Sequence, residues 1–333
     1  MKWGNEMSYD ICVGTIGGGL WIGYDAGKKW RQIQGPMDFE GAVRSLAQNP
    51  EDCQHLLASV DGAGIYESKN GGNNWKLLSE LRDRPIWSLT FDPYDSSRIY
   101  AGTRPGLFAS DNAGESFEEL ATTMSDRCII GVPRTTNVVV DPTRPEVVWA
   151  SVEIDGLHKS CDRGITWESL GELGPGEFYN DVHGLTIHEV NGRSEILITS
   201  PFGLGRSIDD GNSWTWHEFP SFEGSKLEQA YSRCVRAPWG DGTIIVCVGG
   251  GIPGAAGGIE VSYDYGETFE RASLPDIPNS TMYWLATHKD LPGVVAATSV
   301  YGDIYVSEDS CRSWQKLERE LGEIRSATLV PSD

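Results

Sequence analysis

Short runs of alternating apolar and polar residues recur along the whole chain, each four to eight residues long and bounded by Gly, Pro, Asn or Asp. That alternation is the signature of half-buried β-strands, and no run carries the longer periodicity of a helix. Seven stretches repeat one pattern: GLWIGYDAGKKW (19–30), GIYESKNGGNNW (64–75), GLFASDNAGESF (106–117), GLHKSCDRGITW (156–167), GLGRSIDDGNSW (203–214), GIEVSYDYGETF (258–269) and GDIYVSEDSCRSW (302–314). Their closing aromatics are spaced 45, 42, 50, 47, 55 and 45 residues apart. That period fits one four-stranded blade per repeat. In each copy a strand runs into a turn whose Asp or Asn accepts backbone hydrogen bonds. A Gly two residues later supplies a positive φ, and the aromatic packs between blades. Cys311 takes that Gly's place in the seventh copy, so the turn there is expected to be altered.

Two more strands precede each turn. The first set is 43–50, 86–93, 137–142, 183–190, 233–238, 283–288 and 324–331; the second is 55–60, 98–103, 147–152, 195–200, 243–248, 294–299 and 9–15. The chain therefore starts on a second strand and ends on a first one. Residues 324–331 are expected to pair beside 9–15, completing blade 1 (9–33 plus 324–331) and closing a ring. The expectation is an all-β chain, with residues 1–333 forming a single domain. That domain is a seven-bladed propeller of four-stranded antiparallel blades.

The repeated Ser-x-Asp-x-Gly-x-Ser/Thr-Trp/Phe core resembles the Asp-box, or bacterial neuraminidase repeat, of sialidases, sortilin-type receptors, xyloglucanases and a photosystem II assembly factor. The resemblance covers essentially the whole chain. It implies a propeller in which the box is a structural turn on the face away from any active site. Sialidases use an arginine triad, a Tyr nucleophile and an acid, usually on six blades with an Arg-Ile-Pro motif that this chain lacks. Xyloglucanases bind glycan between two such propellers. Sortilin-type receptors have more blades and disulfide-rich appendages.

Composition narrows the partners. The chain has 333 residues, with 27 Lys and Arg against 48 Asp and Glu, for a net charge of −21. Such a balance disfavours nucleic acid and anionic membrane surfaces, and no run is long and apolar enough to span a bilayer. The 40 Gly and 12 Trp follow largely from the repeated turns. Seven scattered Cys with no CxxC form neither a disulfide framework nor a zinc site. With no secretory leader at the N-terminus, a cytoplasmic location is expected, although a trimmed secreted form would read the same.

Candidate chemistry lies where the seven first strands begin. Aligning them places Arg44, Trp87, Asn137, His183, Arg233, Tyr283 and Arg325 around one funnel mouth. Three Arg in a ring of seven depart from the acidic composition and suit a carboxylate or phosphate; pairing with the loop acids Asp61, Glu153, Asp155, Asp181 or Asp303 is the alternative. His183, Asp61, Asp155 and Tyr283 are the candidate proton-moving groups. Arg44, Arg233, Arg325, Trp87, Asn137 and Trp284 are the candidate substrate contacts. Long loops at 121–135, 171–182 and 218–232, with the Gly-rich 249–258, are expected to build a wall beside the funnel. Gly249, Gly251 and Gly254 match GxGxxG, but a strand pattern follows instead of a helix, so no dinucleotide site is expected. His183 and His188 lie on opposite strand faces and cannot share a metal; no metal or cofactor is expected. The leading expectation is a hydrolase or lyase acting on a small anionic molecule in the funnel. A non-catalytic binding or assembly propeller and a glycan hydrolase or lectin are the alternatives.

Overall fold

The computed structural model describes residues 8–35, 40–79 and 81–332; residues 1–7, part of the segment read for a leader, lie outside it. Seven four-stranded antiparallel sheets stand in a ring. Blade 1 combines 9–32 with 324–331; blades 2 to 7 occupy 43–79, 86–119, 135–169, 184–217, 231–271 and 282–316. The innermost strands are Val43–Gln48, Ile86–Asp92, Thr135–Val140, Gly184–Val190, Tyr231–Arg236, Met282–Thr287 and Ile324–Pro331. Gly249 ends a strand, and another, Gly257–Ser262, follows it. All seven Cys are free thiols. No described helix is long and apolar enough to cross a membrane.

The closure expected from strand order is present. Ile324–Pro331 pairs with Tyr9–Thr15 from Tyr9 opposite Pro331 to Thr15 opposite Ile324. Its Ile324, Leu329 and Val330 side chains are buried in the cores shared with the two neighbouring blades. Apolar clusters fill the spaces between blades, with large buried side chains such as Trp149, Tyr100 and Tyr305 packed there. Near the axis the blades are joined by polar contacts. Ser59 Oγ donates to the Ile86 carbonyl (3.2 Å), Ser88 Oγ to that of Thr135 (3.2 Å), Thr136 Oγ1 to that of Val182 (2.9 Å) and Thr199 Oγ1 to that of Arg233 (3.0 Å). These hydroxyls satisfy carbonyls that have no ladder partner at a sheet edge. The approach is close enough to require glycine at 102, where a Cβ would lie 2.3 Å from Ser88 Oγ and 2.7 Å from the Thr135 carbonyl oxygen.

The outer turns repeat one set of bonds. In blade 4, Ser160 Oγ accepts from Gly164 N–H (2.7 Å) and donates to Asp162 Oδ1 (2.7 Å), which accepts from Thr166 N–H (2.8 Å). The indole N–H of Trp167 donates to the Gly164 carbonyl (3.0 Å). The seventh copy keeps this arrangement, contrary to expectation. Cys311 adopts φ 68°, its N–H reaches Ser307 Oγ at 2.9 Å, and Trp314 donates to its carbonyl at 3.2 Å. The strain of a side chain there, about 1–2 kcal/mol, is tolerated because the surrounding bonds are intact. The first copy is the altered one. Gly23 stands where the other turns have Ser, and a Cβ on it would meet the Trp30 ring at 2.7 Å. The ring fills the hydroxyl's space, and its own buried Nε1 is left without a partner.

Two predictions follow from these contacts. Removing residues 324–333 strips three buried aliphatic side chains from two interblade cores, at about 1.5–3 kcal/mol each, besides a full strand ladder. A total stability of about 5–15 kcal/mol does not survive that loss, so circular dichroism melting should show no cooperative transition near the wild-type one. Ser160→Ala should lower stability by about 1–3 kcal/mol, because the Gly164 and Asp162 N–H groups (2.7 and 3.3 Å) lose their acceptor, whereas Asp25→Ala in the altered first turn should leave the melting temperature unchanged in calorimetry.

Candidate functional site

The mouth of the central channel is built from a repeated irregularity. In six of the seven innermost strands the register slips by one residue near the start, and the unpaired residue is Arg44, Trp87, Thr136, Arg233, Tyr283 or Arg325. A bulge re-aims the extra side chain. In the remaining strand His183 sits just before Gly184, with its N–H on the Thr199 carbonyl (2.8 Å). All seven line one cavity, together with Asn137, Gly184, Cys234 and Trp284. The bulge residue of blade 4 is thus Thr136. Asn137, placed on the ring from sequence, is the next residue along; it lines the same cavity while donating to Ser151 Oγ and the His183 carbonyl, both at 3.0 Å.

Aromatic rings keep the like charges apart. The Arg44 and Arg134 guanidiniums lie over Trp87, 4.5 and 4.3 Å from the ring centroid. Arg233 and Arg325 lie over Tyr283 at 4.5 and 4.6 Å. In each pair the ring's electron-rich face attracts both cations. The acids then divide the arginines. Arg44 is held by Asp61 (2.5 Å), Arg134 by Glu153 and Arg325 by Glu323. Arg233 has no carboxylate within 4 Å among the described residues; its hydrogen bond goes to the Tyr283 hydroxyl at 2.7 Å. Burial raises the Tyr283 pKa, but the Arg233 and Arg325 charges outweigh it and hold the phenol below its ordinary value. The enclosed space among these side chains is about 30 Å³, room for roughly two waters. Only the head of a ligand fits within it.

His183 is buried and fully engaged. Its Nδ1 faces the Ser232 carbonyl (3.0 Å), which can only accept, so Nδ1 carries the proton. Nε2 then accepts from the Tyr231 hydroxyl (3.0 Å), with Asp181 Oδ2 at 3.1 Å beside it. Burial and the Arg233 charge push the His183 pKa down despite Asp181. Burial opposes ionisation of Asp181 too, but His183, Arg233 and Arg134 prevail and its pKa is lowered. Near neutrality the pair is a neutral imidazole beside a carboxylate. That arrangement orients the Tyr231 hydroxyl rather than presenting a base to the cavity.

The other sequence candidates separate. Asp61 stands at the rim as the partner of Arg44. Asp155 is not in the cavity lining: it accepts from His158 Nε2 (3.0 Å) and from Ser125 N–H and Oγ (2.8 and 2.6 Å), fastening the 121–134 loop to blade 4. Trp284 lines the floor and donates from Nε1 to the Ala327 carbonyl (2.9 Å). His188 lies away from His183, 3.8 Å from Glu195. Sequence alignment missed Arg134, Thr136 and Glu323. Arg134 lies two residues before a bulge, on the incoming loop, and strand alternation carries no signal for it. Among the described residues no three His, Cys, Asp or Glu converge as metal ligands.

No family model matches the chain. Among curated proteins it is similar to the Probable oligoxyloglucan-reducing end-specific xyloglucanase of Neosartorya fischeri, 24% identical over 192 residues. That match takes in 52% of this chain and 23% of the relative, so the chain aligns with about a quarter of the curated relative's length. Among solved structures it resembles the GH74 xyloglucanase of Xanthomonas campestris (TM-score 0.65, 17% identity), over 97% of this chain and 52% of that one. It also resembles YCF48 bound to a D1 peptide (TM-score 0.58, 18% identity), over 85% and 82% of the two chains. The propeller is thus of the kind found in glycoside hydrolases and in a peptide-bound protein.

The depressed His183 pKa has a stability consequence. The unfolded chain takes up the proton at an ordinary pKa near 6.5 and the folded one only at lower pH, so stability falls as pH drops below about 6.5. His183→Gln should reduce the slope of that acid limb in urea titrations between pH 7 and 5, where His188, His217 and His288, also shifted down by burial, keep a remainder, and the His183 ring of the wild type should read neutral by NMR at pH 6.5.

Proposed function

We propose that the funnel is the site of a hydrolase or lyase acting on a small polar molecule of the carbohydrate class that carries a carboxylate or phosphate. The observation that carries this reading is Arg233, a guanidinium in the channel mouth with no carboxylate partner among the described residues, flanked across Tyr283 by Arg325. In this reading Arg233 and Arg325 hold the anionic head by charge-assisted hydrogen bonds. Tyr283, with its lowered pKa and its place in the cavity lining, takes the proton. His183 orients the Tyr231 hydroxyl beside them. The rest of the substrate lies across the top face, because the enclosed space admits only its head. The carbohydrate class rests on the curated xyloglucanase relative.

A second reading, a binding propeller that seats an anionic group without turnover, is favoured by the tightness of the funnel and by the three arginines already paired with acids. Calorimetric titration with a hexuronate, a hexose phosphate and the neutral hexose separates charge recognition from sugar recognition. The charged ligands should bind and the neutral one should not, and Arg233→Met should weaken binding about tenfold or more, a loss of at least about 1.4 kcal/mol. Equal binding of the neutral sugar, or an unchanged Arg233→Met, defeats both readings. Tyr283→Phe divides them. For an enzyme, turnover should drop by about 10²–10⁴-fold with binding held within a few-fold, and wild-type turnover should rise with pH as the phenol ionises below its usual pH of about 10. Binding without turnover by the wild type supports the second reading.

A further inference from the structure

The channel continues below the funnel floor. Thr136, Asn137 and Trp284 line both the funnel and a second, larger cavity of about 200 Å³ midway along the axis. Its wall is mostly neutral. Ser88, Thr90 and Thr186 face it, but their hydroxyl protons are spent on the carbonyls of Thr135, Val138 and Val235 in the neighbouring blades, at 3.2, 2.8 and 3.0 Å. Among the described residues one charged side chain lines this chamber, Arg236.

Arg236 is poorly matched to such a wall. Its Nη1 donates to its own neighbour's carbonyl, Val235 O, at 2.8 Å. Its guanidinium lies 5.3 Å from the Trp284 ring centroid. Among the described residues no carboxylate comes within 4 Å of it, although the chain carries 48 Asp and Glu. A guanidinium has five N–H donors, and one is used. Arg236 is half-buried; water can occupy its free donors but cannot neutralise its charge, and a partly desolvated charge without a counter-charge carries a cost. A small anion does both.

We propose that the mid-channel chamber binds a small inorganic anion, of halide or phosphate size, on the Arg236 guanidinium, as a site distinct from Arg233 in the funnel. The Trp284 ring holds the guanidinium from one side and leaves its remaining N–H groups for the anion. The chamber has room for an ion together with its hydration shell. The inference does not depend on any reaction in the funnel.

Crystals of the full chain soaked in sodium bromide, and separately in sodium phosphate, test it. An anomalous bromide peak within hydrogen-bond reach of the Arg236 guanidinium is expected, and tetrahedral density at the same place for phosphate if the chamber takes the larger ion. Arg236→Gln should lose the chamber peak and keep any peak at Arg233; Arg233→Met should do the reverse. Arg236→Lys keeps the charge and should retain the ion, which guards against a folding defect in the neutral variant. In solution, bromide should raise the melting temperature of the wild type above that in an equal ionic strength of a bulky organic sulfonate, and Arg236→Gln should abolish the difference. No density beside Arg236 for either ion, only water, overturns the proposal, as does a chamber peak that survives Arg236→Gln.

Discussion

The pairing of Ile324–Pro331 with Tyr9–Thr15 is the contact on which the rest of the molecule depends. Each blade buries one face against its neighbour, so a ring with one blade lacking its inner strand leaves two apolar faces short of cover. Closing the ring with the far end of the chain supplies that strand. It also joins two segments over 300 residues apart, so ordering the last strand and sealing the whole core become one event. Closure fixes the seven innermost strands around an axis, and only then do their starting residues face one another.

That convergence creates an electrostatic problem which the funnel solves in an uneven way. Four guanidiniums meet in a chain whose net charge is −21. Trp87 and Tyr283 act as plates between them, and loop acids neutralise Arg44, Arg134 and Arg325. Arg233 receives a phenol instead of a carboxylate. The same contrast recurs lower in the channel at Arg236. Among the described residues neither Arg233 nor Arg236 has a carboxylate within 4 Å, and both lie along one axis of an acidic chain.

The fold is shared with glycoside hydrolases and with a protein that binds a peptide, and fold alone does not choose between such activities. The distinction lies in groups rather than blades. Two guanidiniums hold the Tyr283 phenol below its ordinary pKa, whereas His183, the more obvious base, is locked between Ser232, Tyr231 and Asp181. The chemistry proposed for the funnel therefore rests on Tyr283, and the anion recognition on Arg233.

How much was legible in the sequence depended on the range of the interaction concerned. The seven repeats were readable because the Ser-x-Asp turn is closed by bonds between residues two to four apart, as at Ser160, Asp162, Gly164 and Thr166. The closure was readable from strand phase at the two ends. Arg44, Arg233, Tyr283 and Arg325 were placed because strand alternation fixes which residue begins each inner strand. Asn137 was displaced by one, since Thr135 stands where Val43, Ile86, Met282 and Ile324 mark the start of their strands and the register had no apolar anchor there. The altered first turn was hidden as well: Gly23 is plain in the sequence, but its effect comes from Trp30 lying across it. Arg134 entered from a loop whose course only packing decides. Above all, the sequence supplied arginines and acids without pairing them. Which guanidinium is neutralised and which is left open depends on where loops from different blades bring their carboxylates. That placement is a matter of a few ångströms across the ring, and only the closed tertiary structure sets it.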